Sequence, residues 1–171
     1  MATFKFVGPA IEGISGPTAS GTWGTAPGQA PPMPFGYRQI ATDPTYGAGE
    51  FVLVAGSNVS AGNLVQIVGN YSARAAGSGT ASIGPVGFAP VALSATNVYG
   101  WVMVRGQFDS ASNSAAAANG VPIKMGTVAG AIDSRTASND THQIYNMYNQ
   151  GSNTASAPAT IMMDNPWYRG F

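Results

Sequence analysis

The chain has no cysteine, a single histidine (His142) and very little charge: of 171 residues, seven are Lys or Arg and seven are Asp or Glu, 8% in all. Each shortage removes a class of function. Without cysteine and with one histidine, neither a thiolate zinc site nor a multi-histidine metal centre can be built, and no disulfide can staple the fold. A nucleic-acid surface needs a basic stripe to displace counterions from phosphates. Here Lys5, Arg38, Arg74, Arg105, Lys124, Arg135 and Arg169 stand singly and are balanced to a net charge of zero, so no nucleic-acid partner is expected. No apolar run approaches the roughly 20 residues of a membrane span, and Met1 to Pro9 lacks a basic region followed by an apolar one. The sequence therefore predicts no membrane partner, and synthesis in the cytoplasm without signal-directed export.

What covers the surface instead is Ser, Thr, Asn, Gln, Ala and Gly, because an ordinary globular domain carries roughly 25% charged residues and this one carries 8%. A near-neutral surface lacks the self-repulsion that keeps copies apart. Association with copies of itself or with a protein partner is the expected consequence.

Composition shifts near residue 46. Seven of the 12 prolines lie before it (Pro9, Pro17, Pro27, Pro31, Pro32, Pro34 and Pro44), interleaved with glycines, and neither a long helix nor a central strand tolerates that mixture. Residues 1–46 therefore read as an extended arm and 47–171 as a β-rich domain. The arm is no solvated linker, since Phe4, Phe6, Trp23, Phe35 and Tyr37 are large apolar groups that disordered segments lack. Such an arm becomes ordered by lying on a surface, either its own domain or a neighbouring subunit. These five aromatics are its candidate anchors, because aromatic residues dominate interface hot spots.

From Gly47 onward, short apolar runs alternate with Gly, Pro, Asn and Ser clusters, the pattern of an all-β domain. Strands are expected over Glu50–Val54, Asn63–Val68, Tyr71–Ala75, Val121–Met125, Gly126–Ile132, Gln143–Tyr148 and Ala159–Met163. Val86–Ala89, bracketed by Pro85 and Pro90, reads as an edge or bulged strand. Val98–Arg105 alternates most cleanly, placing Tyr99, Trp101, Met103 and Arg105 on one face and Val98, Gly100, Val102 and Val104 on the other. Tyr99, Trp101, Val102 and Val104 are the candidate structural core. The alanine run of Asn113–Gly120, preceded by Asn or Ser and followed by Gly, fits one or two turns of helix. The expectation is an all-β small sandwich or barrel of short strands with at most one short helix.

Catalytic patterns are missing. His142 lies beside Asp140 and Thr141, but no Gly-x-Ser-x-Gly elbow supplies a nucleophile. Gly77-Ser78-Gly79-Thr80 lacks the lysine and spacing of a phosphate loop and reads as a hairpin tip. Glu12, Asp43, Glu50, Asp109, Asp133, Asp140 and Asp164 show no calcium-loop spacing and suit solvated or turn-capping roles. No catalytic residue, metal or cofactor is expected. Tyr145, Tyr148, Trp167 and Tyr168 leave a second reading open, a carbohydrate- or host-binding β-module whose rings stack on glycans.

One run of motifs resembles a known family. Val86-Gly87-Phe88-Ala89, then Val98-Tyr99-Gly100-Trp101-Val102-Met103-Val104-Arg105-Gly106, then Asn119–Lys124 and Gly126-Thr127-Val128-Ala129-Gly130, is similar to the core of tailed-phage head decoration (capsid cement) proteins. Val59–Val65 resembles that family's opening strand and Asp164-Asn165-Pro166-Trp167 its closing one, while the arm is longer than the family pattern. The resemblance implies a non-enzymatic virion protein on the outer surface of the capsid. It further implies a homo-oligomer, with a trimer favoured, that clamps neighbouring major capsid protein subunits.

Overall fold

A computed structural model describes residues 4–7, 16–17, 21–22, 31, 33–77, 84–93, 98–135 and 142–170. Its strands are β1 (Lys5–Phe6), β2 (Gly21–Thr22), β3 (Arg38–Asp43), β4 (Gly47–Ser57), β5 (Leu64–Val68), β6 (Ser72–Ala75), β7 (Gly84–Phe88), β8 (Val98–Ala111), β9 (Pro122–Met125), β10 (Ile132–Ser134), β11 (His142–Asn149) and β12 (Ala159–Gly170). Trp23, Glu12, Asp140, Thr141 and most of the Gly77–Thr80 tip lie outside the described residues.

The pairings close on themselves. β4 lies antiparallel to β8 over Glu50–Gly56 and parallel to β6 over Ala55–Ser57. β6 pairs with β5, β5 with β7, β7 with β12 through Trp167 and Pro85, and β12 with β8. The result is a closed six-strand barrel with further strands outside it. Closure removes the open edges that would otherwise template aggregation.

Which side chains face inward follows from who meets whom. Val52 and Val54 of β4, Val65 and Ile67 of β5, Ala73 of β6, and Val102 and Val104 of β8 are buried against one another, with Ala89 and Leu93. Residues from so many strands of the ring can touch only across its interior. The cluster holds only small and medium aliphatic groups, Val, Ala, Ile and Leu, and no aromatic ring. At Gly87 even a methyl is too much, because a Cβ would lie 2.7 Å from Val102 Cγ1.

The large residues of the same strands therefore point outward and need covering. Phe51, Leu53, Trp101 and Met103 form a second cluster, roofed on one flank by Phe4 and, partly buried, Phe6. Phe4 stands edge-on to Phe51 at 5.3 Å and Phe6 edge-on to Trp101 at 4.7 Å. On the other flank the same cluster continues through Leu64, Phe88 and Phe108 into Ile123, Ile132, Met147 and Ile161, contributed by β9 to β12. Phe88 and Phe108 stack with rings 5.1 Å apart.

The alternation expected over Val98–Arg105 is present: Trp101 and Met103 join the outer cluster, Val102 and Val104 the inner one, and Tyr99 packs partly buried on the outer cluster. Four local expectations need correction. β8 and β12 are long strands of 14 and 12 residues, since each leaves the barrel wall and continues into the outer layer. β7 is an internal strand, held by β5 on one side and by β8 and β12 on the other. Pro85 and Pro90 fall at its two ends, so Val86, Gly87 and Phe88 keep the donors that the ladder uses.

The alanine run is not helical. Asn113 bridges Ile132, Ala117 bridges Asn153, and the buried Asn149 amide donates to the carbonyl of Ala118 at 3.0 Å. These partners take up backbone groups that a helical turn would pair internally, and so short a helix has little to set against them. Gly126–Ala131 is a turn, with Gly126 N–H donating to Ala131 at 2.9 Å, and the strand starts only at Ile132.

Candidate functional site

The barrel-lining rows of β4, β5 and β8 reach one end of the ring at Val52, Ile67 and Val104. These residues line a cavity of about 290 Å³ whose other walls include Arg38, Tyr71, Pro85, Asn165, Pro166 and Trp167. An adjoining open groove of about 620 Å³ shares Ile67, Tyr71, Pro85 and Trp167 and adds Gln66, Asn70 and Arg74. A barrel mouth with an apolar floor and a few convergent polar groups is a common place for a small-molecule site.

Local sequence explains how the rim is held. β5 and β6 are joined by a single 3-10 turn, Gly69–Tyr71, in which Asn70 and Tyr71 both take left-handed backbone at φ 57° and 53°. Asparagine adopts that region readily, but a bulky aromatic there is an outlier that the surroundings must enforce. Gly36 is part of the enforcement: a Cβ built on it would run into the Tyr71 ring, and its own φ of 87° suits glycine. Tyr71 remains 47% exposed and Trp167 46% exposed, so both rings offer surface to the cleft.

The polar members are also fixed. Arg38 Nη1 donates to Glu50 Oε1 at 2.6 Å and to Asn165 Oδ1 at 3.1 Å. Arg74 donates through Nε and Nη2 to Gln66 Oε1 at 3.2 and 3.0 Å. Asn165, at φ 47°, turns β12 just before Pro166 and Trp167.

A second groove of about 430 Å³ lies elsewhere on the sheet, lined among others by Ile40, Glu50, Arg105, Tyr148, Met162 and Asp164. Ile40, Glu50, Arg105 and Asp164 are successive cross-strand neighbours on β3, β4, β8 and β12. Arg105 Nε sits 3.1 Å from Asp164 Oδ1 with both side chains exposed, a pair worth little for stability. Ile40 and Tyr148 are exposed at 55% and 45%.

The aromatics of the N-terminal arm are divided among environments. Phe4 is buried in the chain's own core and Phe6 and Phe35 pack partly buried against it. Tyr37 is 37% exposed, with its ring 6.5 Å from Trp101. Of the C-terminal rings, Tyr145 and Trp167 are direct cross-strand partners, whereas Tyr148 pairs with Met162 and lines the second groove. These three do not make one platform, and the Tyr168 side chain lies outside the described ones. Trp167 shares its cleft with Tyr71, which no sequence period marked, the Gly69-Asn70 turn before it being the one available signal.

His142 begins β11, half-buried, opposite Gly170. The Asp43 carboxylate accepts from the backbone N–H of Thr45 and Tyr46 at 2.8 and 3.0 Å, a turn-capping role. Tyr46 has its hydroxyl on Asp109, whose charge, followed by desolvation and by Asp43, raises the phenol above its ordinary value. Among the described residues no three His, Asp or Glu side chains gather as a metal site. No family model, curated protein or solved structure matches the chain.

Proposed function

We propose that the chain is a structural virion protein, not an enzyme, that binds the outer surface of a phage head as a homotrimer and cements neighbouring major capsid subunits. The observation that carries the reading is an apolar, internally neutralised face on a charge-poor barrel. Ile40, Tyr148 and Met162 line one shallow groove, while the charges around it are satisfied within the chain as Arg38 to Glu50 and Arg105 to Asp164. Pairing makes these charges less costly to cover than lone ones would be, and single-residue changes at Ile40 and Tyr148 are expected to weigh heavily.

Many copies each covering a modest interface stabilise a shell by mass action, because they bind the assembled lattice and not its free subunits. The role needs no cofactor and no turnover. Phe4 and Phe6 are taken up by the chain's own core, so the contact is assigned to the Ile40 and Tyr148 face.

The test is co-sedimentation with expanded heads of the encoding phage that lack their own decoration protein, alongside light scattering of the isolated chain. Ile40→Asp with Tyr148→Asp should weaken head binding at least tenfold and leave the circular dichroism unchanged. Wild-type protein that stays in the supernatant, or a double variant that binds as well as wild type, would overturn the assignment.

A further inference from the structure

We propose that the barrel mouth between Tyr71 and Trp167 is a saccharide-binding site. A sugar ring presents an apolar C–H face, which stacks on aromatic rings, and a rim of hydroxyls that need both donors and acceptors. The cleft offers the two kinds of surface together. Tyr71 and Trp167, each about half exposed, line the cleft together with Val52, Ile67 and Val104, while Arg38, Asn165 and Arg74, held by hydrogen bonds, and Asn70 supply amide and guanidinium groups.

Size and preorganisation agree with that chemistry. The half-open mouth of about 290 Å³ suits one ring, and the adjoining groove of about 620 Å³ gives the chain of a longer glycan a path outward. Three of the six described non-glycine residues with left-handed backbone, Asn70, Tyr71 and Asn165, line these two spaces. Strained backbone collects at ligand clamps, where the surrounding fold holds it in place.

A nucleotide base also stacks on aromatic rings, but a nucleic-acid strand needs a basic track along its backbone. Here Arg38 is paired with Glu50 and Arg74 is bound to Gln66, and the chain as a whole is neutral. The surroundings favour hydroxyl recognition over phosphate recognition.

The experiment applies the full chain to an array of bacterial surface oligosaccharides from lipopolysaccharide cores, O-antigens and capsules. The strongest hit is then titrated by calorimetry, which does not depend on Trp167 as a reporter, with a mixed oligonucleotide as competitor. Retention of at least one glycan is expected, with affinity reduced about tenfold in Trp167→Thr and in Tyr71→Asn. Both replacements respect the local backbone, threonine suiting a strand and asparagine the left-handed turn. Tyr148→Ala, in the other groove, should bind as wild type, and head co-sedimentation of Trp167→Thr should be unchanged. No retained glycan, equal loss in Tyr148→Ala, wild-type affinity in both cleft variants, or displacement by the oligonucleotide would each overturn the site. Because head binding is read separately, failure of the glycan site leaves the capsid reading to its own test.

Discussion

Truncation of Phe4 to alanine separates an arm that belongs to its own domain from one that is free to grip a neighbour. Phe4 is 8% exposed and packs edge-on against the fully buried Phe51. Its segment is tied down by pairing of Lys5 with Thr42 and Phe6 with Ala41, and by the Val7 N–H donating to Ile40 at 3.0 Å. Removing a buried phenylalanine ring costs about 3–5 kcal/mol. Phe4 and the two-residue strand that follows it can detach together, which caps the loss at the docking energy of the segment, so a value near the lower end, about 3 kcal/mol, is expected. For a chain of this size that corresponds to a fall of about 6–12 °C in Tm. Urea unfolding followed by tryptophan fluorescence should show the midpoint shift, and Phe4→Leu, which restores much of the volume, should recover most of it. A loss below about 0.5 kcal/mol for Phe4→Ala, the level of an ordinary surface change, would show that the segment is undocked in the free protein. The core assignment of Phe4 would then be wrong, and the arm would be available to a neighbouring subunit.

Other perturbations test separate parts of the structure. Gly36→Ala places a Cβ against the Tyr71 ring at a φ of 87°; the backbone alone should cost about 1–2 kcal/mol, and urea midpoints check it. Gly87→Ala crowds Val102 Cγ1 and the Met103 carbonyl inside the barrel, an overpacking cost of about 1–3 kcal/mol that Val102→Ala in the same chain should relieve only in part, because the carbonyl stays. Asn149→Ala removes the amide that donates to the Ala118 and Gly151 carbonyls; about 1–3 kcal/mol is expected, with hydrogen exchange quickening first in residues 113–121. Tyr46 keeps its proton above the ordinary value of 10.0 because of Asp109. Folded protein therefore holds that proton more tightly than unfolded protein, so the contribution is intact below about pH 10 and is lost as pH rises through the raised value. In Asp109→Asn an ultraviolet titration should find Tyr46 ionising at lower pH, and a phenol that titrates unchanged would remove Asp109 as the cause.

The parts of this fold that were legible in the sequence are those in which a single strand carries its own signal. Val98–Arg105 alternates large and β-branched residues so regularly that its two faces were assignable, and the structure sends them to two different clusters. What stayed hidden depended on partners. β3 lies inside the Pro- and Gly-rich segment, yet it is the hairpin partner of β4 from Arg38 to Asp43, a pairing no local rule announces. The second half of β8, Gln107 to Ala111, shows no clean alternation, and its strand is set by pairing with β12. The helix expected over the alanine run lost to the Asn149 side chain, about 30 residues away in sequence. Tyr71 was hidden for a related reason: its role comes from a turn conformation and from Gly36, not from any repeat.

Barrel closure links the scarcity of charge to the position of the functional surface. A ring this narrow can hold only valine, alanine, leucine and isoleucine, and at Gly87 no side chain at all, so Phe51, Trp101, Phe88 and Met103 must face outward. Left bare, they would make an apolar belt far larger than a soluble monomer tolerates. The N-terminal segment covers one flank of that belt and β9 to β12 cover the other, each layer contributing apolar residues such as Phe4 and Ile161 to the burial. Covering layers have outer faces of their own, and this sequence furnishes them with Ile40, Tyr145, Tyr148 and Trp167 at 40–55% exposure instead of with lysine and glutamate. Replacing those residues with charges would leave the buried belt intact and make the chain more soluble. Their presence on an otherwise charge-poor surface is therefore not explained by folding, and the head-binding and saccharide proposals test the two places where it is concentrated, the outer layer around Ile40 and Tyr148 and the barrel mouth lined by Trp167 and Tyr71.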